Sequence, residues 1–489
     1  MEFNSVVFLG FLTIVLFLYY LIPGKLRPLL LFISGFYFYM SWNAGYGLLL
    51  AAVMGVSYIG ACVMDAANDS RRKLILKLCI AFDVLVLFIF KYTGMALGTI
   101  NDIKRLLTGQ EFRLTLNILL PIGISFYIFQ SLGYLVDVYR RTIRAEKRFI
   151  NYGAFVAFFP QLVAGPIERS SNLLKQVNDS KDVRLNQESI SKGVLQMLFG
   201  YFEKVVIADQ IAGVVTKIYS DYNHFGGAYV LLATVLFAFQ IYCDFDGYTN
   251  IAIGVARLFG IKLIKNFNTP YLAESITDFW RRWHISLSSW LRDYVYISLG
   301  GNRGSKAFKY RNILLTFLVS GVWHGANWTF IVWGVFHGLV QIIEDKFNLV
   351  KSQGLLSRIA KTVMTFIVAD LAWLIFRAES LTHAVELLKC MLMDFNVGRL
   401  LDRDTMILLE LRIREWIVLV IALVLLVMID LVKYHLDSKY EGQIEIYDVL
   451  YKLPQAVIGV IVILAVVFIL VFGHYGPQYD AAQFIYFQF

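Results

Sequence analysis

Charge is what this sequence has least of for its length. Only 17% of its 489 residues are Asp, Glu, Lys or Arg, against 58% hydrophobic, and the mean hydropathy is +0.62. A soluble chain this long would be read as two or three domains, each with a charged surface. That reading is excluded here, because there is too little charge to cover several water-soluble cores. Proline is also scarce, at 8 residues, which leaves no Pro-rich hinge between domains. The four cysteines, Cys62, Cys79, Cys243 and Cys390, lie in or beside apolar runs with no C-x-x-C spacing. They form neither a disulfide framework nor a zinc motif, and core packing is the simplest reading of them. No fixed-period repeat and no low-complexity linker interrupts the chain.

What the chain does have is apolar runs. They centre roughly on residues 5–22, 28–42, 45–64, 75–97, 116–138, 151–164, 193–215, 228–258, 312–342, 362–377, 413–432 and 454–473. Runs of about 20 apolar residues span a bilayer. The expected fold is therefore all-α: a single polytopic bundle of about 11 to 12 spans. Residues 151–164 and 277–300 are too short or too polar to span simply and read as re-entrant or interfacial pieces. The first run, Val6 to Leu21, lacks a basic leader and a small-residue cleavage site, so it reads as a retained span.

The net charge of +9 sits in short loops between the runs, which is a topology signal and argues against nucleic-acid binding. Lys25 and Arg27, then Arg71, Arg72, Lys73 and Lys77, then Arg140, Arg141, Arg144, Lys147 and Arg148 follow alternate runs. Lys346, Lys351, Arg358 and Lys361, and the segment from Lys433 to Lys452, continue the pattern. The positive-inside rule places the N-terminus outside the cell, and the last span carries the C-terminus outside as well.

Polar residues inside a membrane are costly, so each is a functional candidate. They concentrate between 240 and 340. Gln240 to Asn250 puts Asp244 and Tyr248 on one helical face, Asp246 and Asn250 on another. Its two readings are interhelical hydrogen bonding and the lining of a reaction cavity. Thr277 to Asp293 interleaves Trp and Arg as an interfacial helix would, but it also carries His284 followed by Ser286, Ser288 and Ser289. Gly321-Val322-Trp323-His324-Gly325-Ala326-Asn327 brackets His324 with glycines that permit a broken helix, and a helix broken at membrane depth normally lines a cavity. His324 and His337 would face different ways on one straight helix. No carboxylate or cysteine stands at ligand spacing beside these histidines, so no metal site is expected. No G-x-S-x-G elbow appears either. Lys91 and Tyr92 read as packing and interface residues.

Several stretches together resemble the membrane-bound O-acyltransferase superfamily, most closely its alginate and peptidoglycan O-acetylation branch. They are Leu120 to Tyr127 (LPIGISFY), Phe159 to Ile167 (FPQLVAGPI), Lys204 to Asp209 (KVVIAD), Tyr242 to Asn250, Phe279 to Ser288 (FWRRWHISLS) and Gly321 to Gly325 (GVWHG). One departure is that the family more often has Ser and Asp where this chain has Asp246 and Asn250. The resemblance implies a ring-like bundle around a central tunnel, with the near-invariant His at His324 and a second functional His at His284. It implies acetyl-CoA as acyl donor without a tightly bound cofactor, a polysaccharide acceptor, and an extracytoplasmic partner of the SGNH-hydrolase type. Trp323, Asn327, Asp244, Tyr248, Arg281 and Ser288 are the candidate substrate-binding residues.

The ending Phe484-Ile485-Tyr486-Phe487-Gln488-Phe489 resembles that of the small protein accompanying the D-alanyl transferase of the same superfamily. Residues 1–473 then form the bundle and 474–489 an extracytoplasmic tail, with Tyr486 as a candidate acyl relay alongside the plainer reading of an amphipathic tail. Rival readings are a protein- or lipid-directed acyltransferase and, in another class, a transporter with a polar cavity.

Overall fold

The computed structural model describes residues 1, 3–109, 120–349, 354–409, 411–475 and 485. Among them every regular element is helical. The first third comprises α1 (Val6–Leu21), α2 (Arg27–Met40), α3 (Ala44–Ala66), α4 (Asp69–Leu87), α5 (Thr93–Thr108) and α6 (Ile124–Tyr139). The short helices α7 (Phe149–Val156), α8 (Phe159–Leu162) and α9 (Lys175–Asp179) lead to α10 (Gln187–Tyr201), α11 (Asp209–Ser220), α12 (Tyr222–Phe225) and the long α13 (Gly227–Leu258). Next come α14 (Ile276–Arg282), α15 (Ile285–Trp290), α16 (Lys306–His324), α17 (Trp328–Phe347), α18 (Leu355–Arg377) and α19 (Leu381–Met393). The chain closes with α20 (Arg403–Leu408), α21 (Ile413–Tyr440), α22 (Ile446–Tyr451) and α23 (Gln455–Phe472).

Polar residues start many of these helices because their side chains satisfy first-turn N–H groups that nothing in a bilayer could. Asn43, Asn68, Ser305 and Asn327 cap α3, α4, α16 and α17 in this way. Five described helices, α3, α13, α18, α21 and α23, are long and apolar enough to cross a membrane. That is fewer than the expected 11 to 12. The sequence signal divides because apolar stretches break into short pieces or turn π-helical, and helices such as α16 start on a charged turn. The chain is a multi-pass α-helical membrane protein.

Helix ends that carry basic residues are tied to neighbouring helix ends. Tyr20 donates to the Leu258 carbonyl (2.7 Å), Arg27 to Ser180 (3.0 Å), and Arg72 to Val138 (2.7 Å) and Tyr139 (3.0 Å). Arg140 reaches Ser298 (2.9 Å), Arg257 pairs with Glu445, Lys309 with Asp345 (2.6 Å) and Arg358 with Glu274 (2.7 Å).

One glycine seam, touching at two points, sets a close approach. A Cβ on Gly193 would lie 2.7 Å from the Gly254 oxygen, and one on Gly247 would lie 2.8 Å from the Gly200 oxygen. The spacing of seven on both α10 and α13 repeats the contact after two turns, the small-residue packing that lets membrane helices touch. Gly200→Val should therefore cost at least about 1–3 kcal/mol by overpacking. A clearly lower melting midpoint of the detergent-solubilised protein is expected, and an unchanged midpoint would refute the seam.

Of the segments expected to be re-entrant or interfacial, residues 151–164 are deeply enclosed, and residues 277–300 are enclosed in part, with Arg292, Ile297 and Ser298 exposed. Residues 151–167, through α7 and α8, are all buried. Trp280, Trp283 and Trp290 are buried too, so α14 and α15 lie inside the bundle rather than at the lipid surface. The reason is satisfaction of the backbone: Glu344 on α17 accepts from Thr277 N (3.0 Å) and Thr277 Oγ1 (2.8 Å) at the start of α14.

Candidate functional site

The helix break anticipated from Gly321 and Gly325 falls immediately after His324. The helix α16 ends on His324, Gly325 is extended, and α17 begins at Trp328. The His324 ring, 3% exposed, lies 4.9 Å from Trp323, 4.8 Å from Trp333 and 5.6 Å from Phe376 by ring centroids. His284 stands 6.4 Å from it, fully buried, and is wedged 4.7 Å from Phe245 of α13 and 5.7 Å from Trp323. His284 occupies the turn between α14 and α15 with φ of 44°, a left-handed conformation that costs a non-glycine residue about 1–2 kcal/mol. Such strain persists only where the surroundings enforce it, and it clusters at active sites. A cavity of about 40 Å³ reaches His324, lined also by Lys91, Pro121, Ser125, Phe126, Val163 and Trp323. Two imidazoles thus meet in an apolar, aromatic-walled interior beside the break: a setting for proton transfer to and from an attacking hydroxyl. The profile of the membrane-bound O-acyltransferase family matches residues 34–382, which include both histidines.

The chain belongs to the membrane-bound O-acyltransferase family.

It is 42% identical over 396 residues to the "Probable alginate O-acetylase AlgI" of Pseudomonas aeruginosa, covering 80% of this chain and 75% of the relative. It is 34% identical over 388 residues to the peptidoglycan O-acetyltransferase of Helicobacter pylori, covering 74% and 73%. The teichoic acid D-alanyltransferase of Streptococcus thermophilus matches more distantly, 31% over 238 residues, covering 46% of this chain and 56% of that one. The chain is accordingly a membrane O-acyltransferase.

The remaining candidates fall in different places in this acyltransferase. Trp323 bridges the pair, its ring close to both histidines and 5.9 Å from the Lys91 ammonium. Asp244 lies at mid-length of α13 next to Phe245, with Oδ1 2.6 Å from Lys204 Nζ. Tyr248 stacks on Phe3 at 4.5 Å. Asn327 caps α17, accepting from Thr329 N (3.1 Å) and donating to the Glu379 carbonyl (2.9 Å), so its side chain is engaged in building the break. Ser288 donates to the Trp283 carbonyl (3.2 Å), and Arg281 is exposed. His337 lies in an aromatic nest, 5.0 Å from Trp333 and 5.2 Å from Trp280, which fits a packing role. Tyr486 lies outside the described residues.

Sequence reasoning missed three side-chain networks, although it singled out Asp244 and Asn250 within them. Lys91, read as packing, sits on a π-helical turn (Phe88–Tyr92) and donates to the carbonyls of Trp323 (2.7 Å) and His324 (3.1 Å). Tyr92 donates to Val322 (2.7 Å). Three consecutive carbonyls at the end of α16 are therefore capped from another helix, and a cation at a helix C-terminus is favoured by the helix dipole. A Lys inside an apolar run was the available signal. The other two are the trio Lys204, Asp209 and Asp244 (2.8 and 2.6 Å) and the chain Gln196–Asn250–Glu203 (3.0 and 2.9 Å). The first departs from a π-helical turn (Phe202–Ala208), a distortion frequent at functional sites.

Lys91 positions His324 through the backbone. Lys91→Met should lower kcat about tenfold with little change in KM, and Lys91→Arg should recover part of it. Equal turnover for Lys91→Met and the native protein would remove Lys91 from the site.

Proposed function

We propose that this acyltransferase takes an acetyl group from cytoplasmic acetyl-CoA and passes it across the membrane for O-acetylation of an extracytoplasmic polysaccharide. The observation that carries the reading is the alignment, over most of the bundle and both histidines, with proteins named for O-acetylation of alginate and of peptidoglycan. The proposed orientation puts the basic loops in the cytoplasm and both termini outside. A pocket of about 80 Å³, with Lys265, Asn268 and Lys433 among its lining residues, is the proposed mouth for the donor.

His324 is the proposed general base. It takes the proton of an attacking hydroxyl as that oxygen bonds to the thioester carbonyl carbon. The carbon–sulfur bond then breaks, and the CoA thiolate leaves with the proton returned by His324. The proposed first acceptor is the Tyr486 phenol. A phenol, with pKa about 10, forms an ester that remains reactive enough to pass its acetyl group on, so a sugar hydroxyl is a downhill final acceptor. A serine of an SGNH-type partner would attack the aryl ester, regenerate the phenol and deliver the acetyl group to the polymer. The relay lets the bulky CoA stay inside. Its support is that Ile485, the neighbour of Tyr486, is buried within the bundle.

The test is purified protein given radiolabelled acetyl-CoA, with CoA release and label on the polypeptide followed together. Label on the native chain is expected. Neither release nor label, even with a candidate partner present, would sink the reading and bring transport forward.

A further inference from the structure

Ile485, beyond the last span, is packed into the bundle. The helix α23 ends at Phe472, and His474 N donates to the Val205 carbonyl (2.8 Å) on the π-helical turn that carries Lys204. Eleven residues later, Ile485 is 1% exposed and packed into the main core. Its backbone N–H donates to Asp244 Oδ2 at 2.7 Å. Asp244 lies 17 residues into the 32-residue α13, about 25 Å by helix rise from its Gly227 end. The tail thus reaches mid-depth, and both of its described attachments meet the same surface, the Lys204–Val205 turn and its ion-pair partner on α13. The histidine pair is close by: Phe245, next to Asp244, packs 4.7 Å from His284.

From this we infer that Lys204 and Asp244 form a docking latch for this chain's own C-terminal tail, gripping it by the backbone at Ile485. Lys204 Nζ holds Asp244 Oδ1 and, at 2.8 Å, Asp209 Oδ1, which fixes the carboxylate and leaves Oδ2 to the tail. A hydrogen bond from a backbone N–H to a carboxylate recognises no side chain, so the latch sets register and leaves the residue after it to do chemistry. The buried Ile485 side chain adds an apolar anchor. The purpose of the latch, to hold the tail for acyl transfer, rests on the relay reading above. The docking itself does not.

The test is carboxypeptidase trimming of the purified full-length protein, read by intact mass. The native tail should resist. Ile485→Pro removes the N–H donor and part of the apolar anchor while leaving every bundle residue in place, and Asp244→Ala removes the acceptor. Each should lose its last residues about 10- to 100-fold faster, while Ile485→Ala, which keeps the N–H, should fall between. A native tail trimmed at once, or an Ile485→Pro tail as resistant as the native one, overturns the latch. Tyr486→Phe should resist trimming yet take no label. If it resists and is labelled normally, the relay fails and the latch stands. If labelling still depends on Tyr486 while Ile485→Pro stays resistant, the latch fails and the relay stands.

Discussion

Replacing His324 with Gln is expected to lower acyl transfer by about 10²- to 10⁴-fold, the usual contribution of a positioned general base. That is about 3–5 kcal/mol on the barrier. Packing cannot account for so large a change. Gln is close to His in volume and polarity, and volume-conserving swaps usually cost less than about 1.5 kcal/mol of stability. The control is His337→Gln. His337 is as buried as His324 but lies in the Phe279–Trp280–Trp333 nest. It should lower the melting midpoint more than it lowers kcat. His284 needs a different substitution, because its φ of 44° must be kept. Asn tolerates that region best among the side chains with polar ends. His284→Asn therefore separates the ring from the turn. CoA thiol release measures all three. Equal release by native protein and His324→Gln would remove His324 from the chemistry.

Tyr486→Phe removes one oxygen atom and is expected to abolish acetyl label on the polypeptide and to cut transfer to acceptor about 10³-fold or more. A covalent relay admits no partial substitute, since a phenyl ring has no nucleophile. Slow CoA release can persist, with water as acceptor at His324. Acid hydrolysis and peptide mass analysis would place the label on residues 484–489. If Tyr486→Phe keeps the native rate, the tail is not the carrier, and the acceptor hydroxyl must reach His324 itself.

Much of this was legible in the sequence. Apolar runs marked the helices, and Gly321 and Gly325 marked the break that puts His324 at a helix end. Basic residues marked helix ends, and the structure ties several of those ends to one another. Other features were legible only in part. Asn327 precedes an apolar run, which is a capping signature, and the structure uses it so. Arg281 and Trp283 looked alike as interface anchors, yet one is exposed and the other fully buried. Their difference depends on which face α14 turns to α17 and α18, a tertiary choice that a seven-residue helix does not encode. The ion pair of Lys204 with Asp244 joins residues 40 apart on two helices, and the Lys91 cap joins residues more than 230 apart. Neither has a local period to detect. Their only mark is charge where charge is costly.

The central claim is transfer across the membrane, and it is tested most directly in sealed proteoliposomes of uniform orientation. Radiolabelled acetyl-CoA is supplied only on the face bearing the basic loops, with an SGNH-type partner and a polysaccharide acceptor only on the other. The account predicts labelled polymer on the acceptor side, none with His324→Gln or Tyr486→Phe, and none when the donor is supplied on the tail side alone. Labelling that proceeds equally from either face, or that survives both substitutions, would contradict it.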